Sequence, residues 1–202
     1  MSSESRTGRP KASSRETLAE AACELFLEQG YHATSVSDIT TRAGVSRSSF
    51  FNYFASKGDV LWAALDERIL ALTRRLRDEP AGDADARVRS AVTALADGFR
   101  PDSLALAAAQ AEAMGIRDEL QREAGVRRAR IAEAVAERLR REGVDPLQAE
   151  VLGAAYGGAV LAAIWRWAAR GPGRSELVDV LTAALAVVPR ADSLDQADGA
   201  LA

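Results

Sequence analysis

A chain of 202 residues with 48% hydrophobic side chains, 5% aromatics and a net charge of −3 can bury a substantial core, as one domain or as a small domain beside a larger one. Abundant Ala and Leu, with six prolines mostly near segment ends, point to an all-α fold. The single cysteine and single histidine, Cys23 and His32, exclude an internal disulfide and supply neither a nucleophile–base pair nor a metal cluster, so no enzyme, cofactor or metal site is expected.

Residues 1–12 are Ser, Gly, Pro and charge with nothing to bury. Arg9 and Lys11 there fit either a basic arm reaching into a minor groove or a solubilising tail, and the start lacks the apolar centre of a signal peptide. Ser13 and Glu16 read as a capping box. Leu18, Ala21, Ala22, Leu25 and Phe26 then share one helix face, and Gly30 ends it. Cys23 lies on the apolar side as an inert buried thiol. His32 stands alone in the next loop, structural or solvated.

Residues 35–54, SVSDITTRAGVSRSSFFNYF, read as a helix-turn-helix. Ser35 and Asp38 form a capping box, and Val36, Ile39 and Ala43 make one stripe. Gly44 sits where a left-handed residue is wanted. Ser46 is a second N-cap, with Val45 and Phe50 as a hydrophobic staple. On the second helix Phe50 and Phe54 point into a three-helix core. Ser48, Ser49 and Asn52 point outward, flanked by Phe51 and Tyr53, with Arg47 on the first turn. A solvated helix would carry Lys, Glu and Arg there. Hydroxyls, an amide and two flat rings instead suit a phosphate backbone and base edges.

Ser56 is expected to cap a helix running to about Arg77, with Lys57 placed to hold a phosphate. Beyond Pro80-Ala81-Gly82, helices are expected over 84–98, 102–113, 116–124 and 126–142, with Asp102 as a cap. Glu137 and Arg141 suit a salt-bridged exposed face. The Arg-rich segment 127–141 is either that solvated face or a contact for an anionic head group. Asp145-Pro146 opens a helix over 146–170, apolar nearly all round and rich in Gly and Ala. No apolar run is read as spanning a bilayer, so a cytoplasmic location is expected. Ser175 caps a last helix. These two final helices (146–170, 175–188) are expected to pair with their copies as a four-helix homodimer interface.

The net charge conceals a segregation. Residues 1–57 hold seven basic and six acidic side chains, with the bases on the arm and around the helix-turn-helix. Only the local field at a contact face governs phosphate neutralisation, so whole-chain acidity argues weakly against DNA.

The run from Thr17 to Trp62 resembles the N-terminal domain of TetR-family transcriptional regulators, through AGVS (43–46), FFNYF (50–54) and SK (56–57). Thr40 and Thr41 depart from the family's usual residues, as does Asn52 between the two aromatics, which bears on operator preference. The resemblance implies an Ω-shaped homodimer, a palindromic operator and a C-terminal ligand domain. It implies DNA contacts at Ser35, Ser37, Arg47, Ser48, Ser49, Phe51, Asn52, Tyr53 and Lys57. Length, alanine content and FFNYFASKGDVLW look like actinobacterial regulators with an acyl-CoA-like ligand domain.

The expected organisation is a three-helix DNA-binding domain (1–57), a larger helical ligand-binding and dimerisation domain (58–190) and a flexible tail (191–202). The expected function is a ligand-released repressor with an apolar or amphipathic effector. Candidate pocket residues are Trp62, Leu65, Ile69, Phe99, Leu106, Met114, Tyr156, Val160 and Trp165. The alternative is a helical protein-interaction module, or an activator without a small-molecule ligand.

Overall fold

The computed structural model describes residues 14–80, 82–100, 102–171 and 174–190, without the side chain of Ser14. The described residues form helices and turns with no strand, so the fold is all-α. The expected roles of Arg9, Lys11, Ser13 and the 191–202 tail lie outside the described residues.

Helices α1 (Ser14–Gln29), α2 (Val36–Ala43) and α3 (Arg47–Phe51) form the first layer. The capping box at α2 is complete: Ser35 Oγ accepts from Asp38 N at 3.1 Å, and Asp38 Oδ2 accepts from Ser35 N at 2.8 Å. Gly44 ends α2 at φ 67°, a left-handed conformation that favours glycine. Ser46 Oγ caps α3 by accepting from Ser49 N at 3.1 Å. Leu18, Phe26, Ile39, Phe50 and Phe54 are buried together.

Helix α4 (Asp59–Asp78) leads from this layer into the rest of the molecule. It starts later than expected. Asp59 accepts from the Ala55 and Ser56 amides, and Ser56 Oγ accepts weakly from Asp59 N, so Lys57 and Gly58 form a turn before the helix. Helix α5 (Ala84–Thr93) stops short of 98, giving way to a 3-10 turn at Ala94–Ala96. Helix α6 (Ser103–Ala109) is capped by Asp102, as expected, but ends before 113.

The two segments expected over 116–142 are one helix, α7 (Arg117–Arg141). Gly125 does not break it, because tertiary contacts on either side outweigh a propensity cost of about 1 kcal/mol. Helix α8 (Pro146–Arg170) has the expected bounds, with Asp145 accepting from the Leu147 and Gln148 amides. Helix α9 (Leu177–Leu185) follows. Ser175 does not cap it; the Ser175 carbonyl instead accepts from Trp167 Nε1 at 2.9 Å.

Helix α8 packs most extensively on α7, then on α9 and α6. The close approach runs through two glycines: a Cβ on Gly153 would sit 2.4 Å from Ala132 O, and one on Gly157 2.6 Å from Arg128 O. These small residues therefore admit a neighbouring backbone of the same chain. By length and composition alone α8 could cross a membrane, yet half of its most apolar window is buried inside the protein. Its other face exposes Leu147 and Val151, continued by Ala154, Gly158 and Ala162.

The arginines of α7 divide: Arg122, Arg128 and Arg130 lie on the expected exposed face, while Arg127 and Arg138 are buried. Arg138, 2% exposed, donates to the carbonyls of Leu76, Glu79 and Pro80 and pairs with Glu142 at 2.6 Å. Arg141 donates to Leu76 O and Arg77 O rather than pairing with Glu137. Together they satisfy the carbonyls left open at the end of α4. Arg127, 4% exposed, bonds Asp66 and Glu123 and lies 4.7 Å over the Trp62 ring.

Candidate nucleic-acid interface and effector cavity

The face expected to read DNA is open. Ser35, Ser37, Arg47, Ser48 and Asn52 are exposed, Phe51 and Tyr53 are about half exposed, and Ser49 is half-buried. Phe50 and Phe54 beneath them are buried, so the alternation of inward and outward aromatics follows the helix period. Ser46 Oγ lies 2.8 Å from Ser48 Oγ and 2.9 Å from Ser49 Oγ. That places three hydroxyls in one cluster at the start of α3. The Arg47 guanidinium lies 5.7 Å over the Phe51 ring.

Two basic side chains near this face are engaged elsewhere. Arg42 pairs with Glu28 at 2.6 Å and Glu24 at 3.1 Å; those bonds raise its pKa and lower that of Glu28. Lys57, expected to hold a phosphate, turns inward. Its ammonium donates to Tyr31 O at 2.6 Å and Thr34 O at 2.8 Å, and lies 4.2 Å over the Tyr31 ring. Burial lowers its pKa. Lys57 is therefore a fastener of the α1–α2 loop.

The principal cavity, about 830 Å³, lies between α1, α4, α6 and the end of α8. Buried Cys23, Phe54, Val60, Ala105, Trp167 and Ala168 line its interior, and the exposed Glu16, Glu20, Glu24, Leu27 and Gln110 its rim. Burial pushes the Cys23 thiol and the Asp102 carboxyl up. Of the nine residues expected to line a pocket, only Leu106 does so. Trp62, Leu65, Ile69, Phe99, Met114, Tyr156 and Val160 are buried core. Trp165, half-buried, packs edge-on against Trp62 at 6.1 Å. Large side chains fill the core; the cavity is left where small ones (Ala19, Ala63, Ala64, Ala105, Ala109) face one another.

Against known families, residues 18–64 match the model described as bacterial regulatory proteins, tetR family. Residues 83–191, more than half of the chain, match the MftR C-terminal domain. The chain belongs to the TetR family of transcriptional regulators. It is 34% identical over 96 residues to the transcriptional activator FasR of Mycolicibacterium smegmatis, covering 46% of this chain and 44% of that one. It is 35% identical over 98 residues to the transcriptional repressor Rv3405c of Mycobacterium tuberculosis, covering 46% and 51%. The chain thus spans about half the length of these curated relatives. The solved structure of Thermus thermophilus FadR, a TetR-family repressor in complex with lauroyl-CoA, is similar with a TM-score of 0.53 and 28% identity, over 86% of this chain and 92% of that one.

In this TetR-family chain the helix-turn-helix layer is joined to the cavity by more than α4. The turn after α6 reaches back to the loop after α1, where Tyr31 N donates to Met114 O at 2.8 Å. The same Tyr31 carbonyl receives Lys57, and Thr34 Oγ1 donates to Gly30 O at 2.9 Å. Sequence reading missed this link because neither Met114 nor Tyr31 uses its side chain in the 2.8 Å bond. Thr40, one of the departures from the family pattern, is buried with its hydroxyl donating to Ser37 O at 3.0 Å.

Proposed function

We propose that this regulator is a ligand-released repressor that binds a palindromic operator as a homodimer, with residues 1–57 on DNA, 58–190 carrying the dimer contact, and the effector held in the cavity that α1 shares with α4, α6 and α8. The observation that carries the reading is the exposed face of α3 and of the turn that follows it: Ser48 and Phe51, then Asn52 and Tyr53, above buried Phe50 and Phe54. Base edges and thymine methyls are read by such hydroxyls, amides and rings. Ser35, Ser37, Ser49 and Arg47 frame it, with Arg47 neutralising a phosphate. Lys57 acts by holding the loop.

The exposed apolar stripe of α8, Leu147–Val151–Ala154–Gly158–Ala162, supports pairing of the last two helices with a second copy. Two recognition helices must then enter successive major grooves about 34–36 Å apart. The cavity lies against α1, the first helix of the DNA-binding layer, and against α4 and α6. An apolar or amphipathic occupant wedges these helices apart, moving α4 and the Met114–Tyr31 bond with it, and one half-site loses register. An effector that favours the DNA-incompetent form by a few kcal/mol shifts occupancy strongly.

The test is selection of bound fragments from random duplexes, followed by release of the selected duplex by amphiphiles. Inverted half-sites and release support the reading. Binding to a single half-site with no effect of cavity ligands overturns it.

A further inference from the structure

The charge around the cavity is lopsided. Its lining includes four carboxylates, Glu16, Glu20, Glu24 and Asp102, and one guanidinium, Arg15. That guanidinium already pairs with Glu67 at 2.6 Å. Two more arginines stand nearby. Arg42 is shared between Glu24 and Glu28. Arg68 is bound to the carbonyls of Leu95 and Asp97, 4.9 Å over the Phe99 ring. Counting these arginines with the acids they touch, the carboxylates around the cavity still outnumber the cations among the described residues. Asp102 sits inside this field, half-buried, accepting from the Leu104 and Ala105 amides at 3.0 and 3.1 Å. Beyond the rim the walls are mostly Ala, Leu, Val, Phe and Trp side chains, with Cys23 and Ser103.

Apolar walls select a hydrocarbon, and convergent polar groups at the mouth select its head. A cavity lined by one sign of charge, with low-dielectric walls, concentrates ions of the opposite sign. We propose that the effector of this cavity is an amphiphile with an apolar tail and a cationic head, an alkylammonium-type molecule, its head held by Glu20 and Asp102. The proposal rests on the cavity being the effector site. It separates this chain from the structurally similar FadR, described with lauroyl-CoA, whose phosphates would meet carboxylates at this rim.

The test titrates the full chain with decyltrimethylammonium, decan-1-ol and decanoyl-CoA, each below micelle formation, by calorimetry. In parallel, modification of Cys23 by methyl methanethiosulfonate is timed with each ligand present. Cys23 is the chain's only cysteine and lines the cavity, so slowed modification locates the ligand. The expected result is that decyltrimethylammonium binds at least tenfold tighter than the other two and slows Cys23 modification. In the double variant Glu20→Gln, Asp102→Asn that preference shrinks by at least tenfold; asparagine still caps α6.

Equal or tighter binding of decanoyl-CoA or decan-1-ol, with Cys23 protected, overturns the cationic assignment and leaves the effector cavity standing. If none of the three binds or protects Cys23, the cavity itself is not the effector site. The wild-type comparison decides the matter even where the double variant does not fold.

Discussion

Single residues near the DNA face divide into those that meet solvent and those that hold the loop. Lys57 and Arg47 carry the same charge in different settings: Arg47 is exposed, Lys57 bonds two carbonyls. Arg47→Ala should reduce the slope of log affinity against log salt by about 2 for a dimer, one phosphate per subunit. Lys57→Ala should leave that slope alone and lower stability by about 1–3 kcal/mol, by unpairing the Tyr31 and Thr34 carbonyls. Salt titration of operator binding beside urea unfolding checks both. Asp102 gives a pH signature. Burial raises its pKa in the fold, so the stability this carboxyl permits is full below its unfolded value and is lost as pH rises through its folded value. Asp102→Asn keeps the α6 cap and removes the desolvated charge. Its melting temperature should exceed that of the wild type at pH 7, with the gain shrinking toward pH 4.

At the scale of elements, the ends that were readable in the sequence are those where a side chain binds its own backbone. Ser35, Ser46, Asp102 and Asp145 cap as their spacing implies. The misreadings came where a distant element supplies the bond. Gly125 stays helical inside a packed α7, the Ser175 carbonyl serves Trp167, and Arg138 and Arg141 close the end of α4. The α4 carbonyls lie 59 and 65 residues from Arg138 and Arg141, and Trp167 reaches Ser175 across 8 residues. The pocket was misplaced for a related reason: periodicity identifies side chains that fill space, and a cavity is the space that small ones leave. The facing alanines of α1, α4 and α6 were the available signal. Arg138→Ala should cost about 3–5 kcal/mol in urea unfolding, because Glu142 and three carbonyls lose their partner in a buried setting. Gly153→Ala should destabilise by about 1–3 kcal/mol, its methyl driven into Ala132 O. Gly158→Ala, with nothing within 4 Å, should not destabilise the subunit and gains up to about 1 kcal/mol in helix propensity.

At the scale of the molecule, one helix layer offers a polar-aromatic face and the other an apolar stripe, with the cavity between the DNA-binding layer and the larger one. Val151, 56% exposed in the single chain, should be covered in the dimer. Val151→Asp should therefore shift sedimentation toward the monomer and weaken operator binding, with helicity retained. The measurement that bears most directly on the whole account is titration of a selected operator duplex with wild type and with Asn52→Ala, Tyr53→Ala, followed by fluorescence anisotropy. Both side chains are exposed, so thermal melting should be nearly unchanged while specific affinity falls by about 1–3 kcal/mol per altered contact and non-specific affinity persists. Undiminished affinity for the operator in that double variant would contradict the assignment of this face to DNA.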